Sequence, residues 1–326
     1  MNEVYKKLSV VIPCYNEEET LHELLRRTDV ACKGTGLDYE IVLINDGSSD
    51  GTWVKMCGLR QTYPDLVLVD LARNHGHQLA LTAGLQVCCG ERILTIDADL
   101  QDPPELLPDM LRLMDAGVDV VYGKRRTRAG ETWFKKQSAS LFYRLLNRLS
   151  DVYLPQDAGD FRLMSRRVLD VFLQMPEQHR YIRGMISWIG YRQEPIEYDR
   201  DVRYAGETKY PLKKMLKLSF DAITSFSTKP LKMTAHLAFV FSLLGFGLLL
   251  YSLISWLFFD TIKGWTSLLA VVSIVSSLQF MILAIFGAYL GRIYQQSQQR
   301  PLTIIRDVVR ENTLIGERTS IPKKEK

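Results

Sequence analysis

Two long apolar runs without a charged residue constrain this 326-residue chain more than any other feature. No Asp, Glu, Lys or Arg occurs from 233 to 259, or from 264 to 291. Each run exceeds the roughly 20 residues that a helix needs to cross a bilayer. A short polar break at 260–263 separates the runs. The sequence therefore predicts a hairpin of two transmembrane helices rather than the buried hairpin of a soluble protein.

The charges that flank these runs predict the orientation of the hairpin. Lysines precede the first run at positions 213, 214, 217, 229 and 232, and arginines follow the second at positions 292, 300, 306 and 310. Only Lys263 lies in the intervening loop. The positive-inside rule then places both termini and the amino-terminal region in the cytoplasm. We expect no signal peptide, because the first apolar run is short and ends at Pro13.

Net charge and cysteine content narrow the class of protein further. A formal net charge of +4 gives no support to nucleic-acid binding. The five cysteines match no zinc-binding spacing, and a reducing compartment disfavours disulfides. They are expected to be thiols of the core.

Short apolar, β-rich segments alternate with helical segments through the amino-terminal part. The predicted strands are 8–12, 40–44, 66–71, 92–96 and 118–122, and the predicted helices are 17–31, 51–62, 77–88 and 103–116. This alternation predicts a mainly parallel α/β sheet, which binds ligands outside the carboxyl ends of its strands. Polar clusters at 13–17, 45–50, 73–76 and 97–99 follow four of the strands. We expect them to line one crevice.

Asp97 and Asp99 are the candidate metal ligands. Side chains at positions i and i+2 of a strand project to the same face, so both carboxylates can meet one Mg²⁺ or Mn²⁺ ion beside substrate phosphates. Asp102 is expected to cap the following helix, with Pro103 in its first turn. Asp199 and Asp201 have the same spacing without a preceding apolar strand, which indicates an exposed surface.

Two basic segments accompany this pattern. Residues 124–136 form either a solvated loop or a loop that closes over an anionic donor or lipid phosphate. Residues 211–229 interleave apolar side chains with lysines, which favours a helix in the membrane interface over one buried against the domain.

Seven motifs in order carry a family resemblance. They occupy residues 10–17, 45–52, 73–76, 97–103, 159–163, 180–184 and 206–210. At these residues the chain resembles the family-2 glycosyltransferases of the GT-A fold. More narrowly it is similar to the bacterial polyprenyl-phosphate glycosyltransferases of the bactoprenol glucosyltransferase type, with dolichyl-phosphate mannose synthase as a more distant relative.

The resemblance implies an organisation along the chain. It consists of a cytoplasmic Rossmann-like GT-A domain, a juxtamembrane amphipathic region, two transmembrane helices and a cytoplasmic tail. These segments cover residues 1–205, 206–232, 233–259, 264–291 and 292–326 respectively. The implied location is the bacterial inner membrane, and the implied assembly is a homo-oligomer, a tetramer in similar enzymes.

The resemblance also implies roles for single residues. The nucleotide-sugar pocket would comprise Pro13, Tyr15, Glu17, Asp46, Asn74, Asp97 and Gln101. Asp97 and Asp99 would hold Mg²⁺ or Mn²⁺, and Asp160 matches the position of the catalytic base, with Asp157 as the alternative. A lipid monophosphate is largely dianionic at pH 7, so Asp160 could instead orient the acceptor or restrain the sugar. Cations for the acceptor phosphate and pyrophosphate would be Arg183 and Lys209, then Arg180 and Arg162. His75 is interpreted as loop scaffold and His77 as the start of a helix, rather than as metal ligands.

The implied reaction is inverting transfer of a hexose from a UDP-sugar to undecaprenyl phosphate. Glucose is the expected sugar, with N-acetylglucosamine, an amino-arabinose or mannose as alternatives. A processive polysaccharide synthase is disfavoured, because the chain has no Arg-Trp pair. A non-catalytic scaffold or flippase subunit is the rival from another class.

Overall fold

The computed structural model describes residues 7–126, 158–199 and 264–310, together with single positions between 231 and 254. The described residues fall into two compact units. The first contains residues 7–126, 158–199 and 301–310, and the second contains residues 264–300 and the single positions between 231 and 254. Lys209, Asp157, Asp201, the segment 211–229 and most of the basic segment 124–136 lie outside the described residues.

The first unit is built on a sheet with eight described strands. The strands are β1 (Leu8–Cys14), β2 (Tyr39–Asn45), β3 (Leu66–Leu71), β4 (Arg92–Thr95), β5 (Val120–Arg125), β6 (Ala158–Ser165), β7 (Gln193–Tyr198) and β8 (Ile305–Val309). Their order across the sheet is β7-β5-β6-β4-β1-β2-β3-β8. Neighbours among β4, β1, β2 and β3 are parallel, as are β5 and β7, whereas β6 and β8 run antiparallel to their neighbours. The predicted mainly parallel sheet is confirmed.

Six α-helices connect these strands in the described part of the first unit. They are α1 (Leu21–Lys33), α2 (Thr52–Leu59), α3 (His77–Val87), α4 (Leu107–Asp115), α5 (Arg166–Gln174) and α6 (Ile182–Ile189). A 3₁₀ turn over Pro104–Leu106 precedes α4. The four helices predicted from the pattern are present, with bounds that differ by zero to four residues at each end.

The core lies on both faces of the central strands. Every residue of β1, β2 and β3 is buried, as expected for strands of a parallel sheet that is covered on both faces. Helix α3 packs against β1 and β2. Gly84 allows this close approach, because a Cβ atom there would lie 2.4 Å from Ile44 Cδ1 and 2.5 Å from Val11 Cγ1.

The turn after β4 differs from the prediction. The strand ends at Thr95, so Asp97 and Asp99 lie in a turn and do not share one face of a strand. The Ile96 N–H still bonds to the Val11 carbonyl at 3.2 Å, but the chain then turns through Leu100, whose φ is +60°.

The predicted helix cap at Asp102 was also wrong. Asp102 is buried and accepts a hydrogen bond from the Tyr198 hydroxyl of β7. The 3₁₀ turn begins at Pro104 without a side-chain cap, because the carboxylate is engaged by this neighbouring strand instead.

The cysteines lie where the sequence predicts. Cys14, Cys32 and Cys88 are buried, and the other two are partly buried. No disulfide joins the five thiols, all of which belong to the described residues. Burial raises the pKa of Cys32 and of Cys88 to about 12, so both are protonated core thiols.

The second unit contains helix α7 (Trp265–Ser297). Its portion Ile274–Ser297 has a mean hydropathy of 1.8, with none of the apolar stretch buried. Among the helices that the structure describes, it is the one long and apolar enough to cross a membrane. Described positions of the run 233–259 are helical and several are exposed, including Phe239, Phe246 and Tyr251. One candidate span is therefore present, and a two-helix hairpin is not confirmed.

Candidate active site

The polar clusters meet at the carboxyl edge of the sheet. Parallel strands β4, β1, β2 and β3 are adjacent and end at this edge. Pro13 is buried near the end of β1, whereas Tyr15, just beyond it, is 41% exposed. Glu17 follows in a turn, where its N–H donates to Thr52 Oγ1 at 2.9 Å. The four strand ends therefore lie side by side at one edge of the sheet, as expected.

Asp46 ties the loop after β2 to the loop after β3. Its buried carboxylate accepts hydrogen bonds from the backbone N–H groups of His75 (2.7 Å) and Gly76 (2.9 Å). Burial raises the pKa of Asp46, and these two hydrogen bonds oppose the rise. The loops touch closely, since a Cβ atom at Gly47 (φ +63°) would lie 2.5 Å from the backbone nitrogen of Asn74.

Asp99 shapes the turn in which it lies. Its Oδ1 accepts a hydrogen bond from the Gln101 N–H at 3.2 Å. Asp97, Asp99 and Gln101 are each half-buried in this turn. The two carboxylates and the amide side chain therefore stand at one strand end, although through a turn rather than through strand periodicity.

Asp160 of β6 is held by several hydrogen bonds and ion pairs. It is buried and accepts two hydrogen bonds from Arg183 of α6, from Nε to Oδ1 at 2.8 Å and from Nη2 to Oδ2 at 3.2 Å. Gln78 Nε2 donates to Oδ2 at 3.0 Å, and His77 Nε2 lies 3.2 Å from the same oxygen. Burial alone would raise the pKa of Asp160, but Arg183 and His77 outweigh it and hold the pKa well below the usual range.

His77 connects Asp160 to Asp97. Its Nε2 lies 3.2 Å from Asp160 Oδ2 and 3.4 Å from Asp97 Oδ1. Burial lowers the pKa of His77, but the two carboxylates raise it by more, so that the net pKa is about 9. Burial raises the pKa of Asp97 to about 6, partly offset by His77. The site at neutral pH thus pairs two carboxylates with an imidazolium and a guanidinium.

Of the other predicted cations, two lie deeper in the unit. Arg162 is buried and donates to the Gly159 carbonyl at 3.0 Å, with its Nη2 4.0 Å from Asp160 Oδ1. Burial lowers its pKa to about 10, so it stays charged. Arg180 lies over the Phe172 ring and donates to the Met175 carbonyl at 2.5 Å. Its described contacts are thus with the carboxyl-terminal end of α5 rather than with the carboxylate cluster.

Two residues of the site were missed by sequence reasoning. His77 does open α3, as expected, but its ring also joins the carboxylates. Gln78 uses both ends of its amide, because Nε2 donates to Asp160 and Oε1 accepts the Ile182 N–H at 2.9 Å. Their place in the sequence could have indicated a role in the site, because both residues directly follow the 73–76 cluster at the carboxyl edge of the sheet.

The acidic groups fit a divalent cation. One ligand atom each from His77, Asp97 and Asp160 lie within 4.8 Å of one another. Carboxylates suit Mg²⁺ and Mn²⁺, and an imidazole with carboxylates also suits Mn²⁺. Asp160, however, is already bonded to Arg183 and Gln78, which leaves Asp97 as the carboxylate of this group best placed to bind metal.

Comparison with known proteins identifies the family of the chain. Residues 9–173 match the family described as glycosyl transferase family 2. An uncharacterized glycosyltransferase of Bacillus subtilis, YkcC, is 46% identical over 91% of this chain and 92% of its own. A prophage bactoprenol glucosyl transferase homolog of Escherichia coli is 36% identical over 93% of this chain and 99% of its own.

The solved structures give a weaker likeness. Glucosyl-3-phosphoglycerate synthase from Mycobacterium tuberculosis, in complex with Mn²⁺, UDP-glucose and phosphoglyceric acid, has a TM-score of 0.41 and 20% identity, over 67% of this chain and 78% of that chain.

The Rossmann-like, mainly parallel sheet and the family match together give a transferase of the GT-A fold. The chain belongs to glycosyl transferase family 2, and its relatives include proteins named bactoprenol glucosyl transferase.

Proposed function

We propose that this enzyme transfers a hexose from a UDP-sugar to undecaprenyl phosphate at the cytoplasmic leaflet of the bacterial inner membrane, and that the hexose is glucose. The observation that carries the proposal is the cluster of Asp97, His77, Asp160 and Arg183 at the edge where the strand-end loops meet. Relatives named bactoprenol glucosyl transferase, at 35–36% identity over most of the chain, support the choice of acceptor and sugar.

The donor would bind along the loops after β1 and β2. Pro13, Tyr15, Glu17 and Asp46 are assigned to the uridine, with Asn74, Asp97 and Gln101 toward the ribose and pyrophosphate. The exposed ring of Tyr15 can stack on a base, and the carboxylate of Asp46 has lone pairs beyond those that accept the loop N–H groups.

Asp97 and Asp99 are assigned to a divalent cation, Mg²⁺ or Mn²⁺. Such an ion, when bound, would offset the charge that builds on the departing UDP. Gln101 and His77 stand beside these carboxylates and can orient them.

Asp160 is assigned a role other than that of a general base. Its pKa lies well below the usual range, which makes it a poor proton acceptor near neutral pH. An acceptor phosphate that is mostly dianionic also has little proton to give. We propose that Asp160 stabilises the positive charge on the sugar and holds Arg183 in place.

Arg183 is assigned to the acceptor phosphate. Its side chain is 31% exposed although it is paired with a buried carboxylate. Guanidinium geometry matches phosphate, and the positive charge offsets repulsion between acceptor and pyrophosphate. Lys209 is proposed as a second cation, with Arg180 and Arg162 in supporting positions.

Attack from the face opposite UDP would invert an α-linked donor to a β-linked lipid-phosphate sugar.

The membrane would be the second partner. At 1.5 Å per residue, the 24 residues of Ile274–Ser297 extend about 36 Å, enough for a hydrocarbon core of about 30 Å. We propose that 233–259 forms the other helix of a hairpin, with both termini in the cytoplasm. A tetramer is the proposed assembly, by the resemblance alone.

The test is transfer from a panel of radiolabelled UDP-sugars to undecaprenyl phosphate by purified protein, with and without EDTA. We expect label from UDP-glucose to enter the organic phase, and EDTA to stop it. If another sugar moves, glucose is the wrong donor. If UDP binds but no sugar moves, the proposed transfer is wrong and a role as a non-catalytic scaffold replaces it.

A further inference from the structure

Strand β8 adds an edge to the sheet from a part of the chain that follows the candidate membrane helix. It pairs antiparallel with β3, and the register shifts at Asp70 and Leu71. Asp70 stands opposite Asp307 and Leu71 opposite Ile305, so Arg306 is the extra residue of this bulge. Bulges commonly redirect a side chain near functional sites.

Arg306 begins a chain of polar contacts that leads to the loop after β2. Its Nη1 donates to Asp70 Oδ2 at 2.9 Å, and its Nη2 donates to the Ala72 carbonyl at 3.1 Å. Asp70 Oδ1 accepts from Asn45 Nδ2 at 2.7 Å. Asn45 Oδ1 in turn accepts the Ser48 N–H at 3.1 Å. The side chain on β8 is thus linked to the loop that contains Asp46.

A second contact reaches the same place from the residue before β8. Ile304 accepts the Ala72 N–H at 2.9 Å, and its own N–H approaches His75 Nε2 at 3.4 Å. His75 is the residue whose backbone N–H donates to Asp46 at 2.7 Å. The segment 304–306 therefore contacts the loop after β3 directly, and it is linked to the loop after β2 through Asp70 and Asn45.

A simpler explanation would be that β8 only covers the edge of the sheet and that Arg306 makes a surface ion pair. The partner argues against this, because the Asp70 side chain is only 3% exposed and shares its other oxygen with Asn45. We propose that Arg306 is a positioning residue of the donor pocket, through which β8 holds the loops after β2 and β3. The proposal rests on the proposed function only for the identity of the ligand, the uridine of UDP.

The chain offers a matched control in Arg167. Its side chain is 62% exposed and pairs with Asp119, which is 5% exposed, whereas Arg306 is 58% exposed. Asp119 precedes β5 and bonds to Ser165 at the end of β6, so this pair lies on a different part of the sheet. Arg306→Ala and Arg167→Ala thus each remove an ion pair between an exposed arginine and a buried aspartate, although Arg167 also lies over the Tyr191 ring.

The experiment is hydrogen exchange by mass spectrometry on the full chain in nanodiscs, together with calorimetric titration of UDP. In Arg306→Ala we expect peptides covering 44–50 and 72–77 to exchange about tenfold faster, while peptides of β1 stay protected. UDP affinity should fall about fivefold, since a looser pocket must be ordered on binding. Arg167→Ala should change neither, and Arg306→Lys should recover part of the protection.

The possible outcomes separate the inference from the proposed function. Faster exchange limited to 302–310, or equal effects of both alanine variants, would show that β8 only covers the edge and would overturn the inference. Wild-type protein that fails to bind UDP would overturn the proposed donor, while the exchange data would still decide whether Arg306 positions the loops. If Arg306→Ala does not fold, Arg306→Lys and Arg306→Gln carry the same comparison.

Discussion

Arg183 and Asp160 form a two-point ion pair, with Nε–Oδ1 at 2.8 Å and Nη2–Oδ2 at 3.2 Å. The Asp160 side chain is 4% exposed and the Arg183 side chain 31%. Arg183 thus keeps a buried carboxylate ionised although its own side chain is partly exposed.

Removing the guanidinium should impair both activity and stability. We expect Arg183→Met to lower kcat about 100-fold, a size typical for loss of a charge-stabilising donor. The thermal midpoint should also fall, because a buried carboxylate loses its strongest partner. Arg183→Lys should give intermediate activity, since it keeps the charge without the two-point geometry. Arg192→Met is the control, because Arg192 pairs with the half-buried Glu194 and should leave kcat unchanged.

Gln78 should matter through its two hydrogen bonds. Gln78→Glu retains an oxygen for the Ile182 N–H but replaces the donor to Asp160 with a like charge. We expect kcat to fall about tenfold or more, with KM for the UDP-sugar little changed. Gln193→Glu is the control, since Gln193 of β7 donates to the Ile186 carbonyl of α6 at 2.8 Å and has no described hydrogen bond to Asp160. Equal kinetic effects of the two variants would contradict a role for Gln78 at Asp160.

The metal assignment can be tested with two pairs of aspartates of the same spacing. Asp99→Ala should abolish transfer and remove the response to Mn²⁺, which the radiolabel assay measures. Asp199→Ala should keep full activity, because Asp199 is 68% exposed and contacts Arg126 at 3.9 Å. Full activity of Asp99→Ala would remove Asp99 from the metal site.

His77 should make the metal-free protein less stable at high pH. The pKa of His77 rises from an ordinary 6.5 to about 9 in the fold, although burial alone would lower it. Its contribution to stability is then fully present below about pH 6.5 and is lost as pH rises through 9. We expect about 1 kcal/mol, after allowance for solvent screening of a ring that is 36% exposed.

Urea unfolding of EDTA-treated protein between pH 6 and 10 measures this loss. Subtracting the profile of His77→Gln isolates the contribution of this ring from that of other groups. His22→Gln, at an exposed position of α1, should leave the profile of the wild type unchanged. A wild-type profile that matches His77→Gln would show that the ring is not held by the carboxylates.

Gly84 should be essential for packing of α3 on the sheet. Gly84→Ala places a methyl group 2.4 Å from Ile44 Cδ1, and we expect a loss of about 1–3 kcal/mol in the free energy of unfolding. Gly58→Ala in α2 has nothing within 4 Å of the new Cβ and should stabilise by about 0.5–1 kcal/mol. Chemical denaturation of both variants tests the contrast.

Much of the fold was predictable from local pattern. Alternating apolar segments indicated the strands and helices, and the same apolar density indicated a membrane helix, because both signals depend on neighbours in sequence. The place of β8 beside β3 was not predictable in this way. Strand order is decided by packing across the whole sheet, which a local pattern does not report.

The composition of the site shows the same division. The sequence by itself determined that carboxylates and basic residues follow the strands, since motif chemistry is local. Only the tertiary structure decided that β6 lies beside β4, which brings Asp160 next to Asp97, and that α6 returns Arg183 to the same carboxylate. It also directed Arg180 to the end of α5 and added His77 and Gln78 to the cluster. These contacts join residues far apart in the chain, and their geometry is set by the burial of the sheet rather than by sequence spacing.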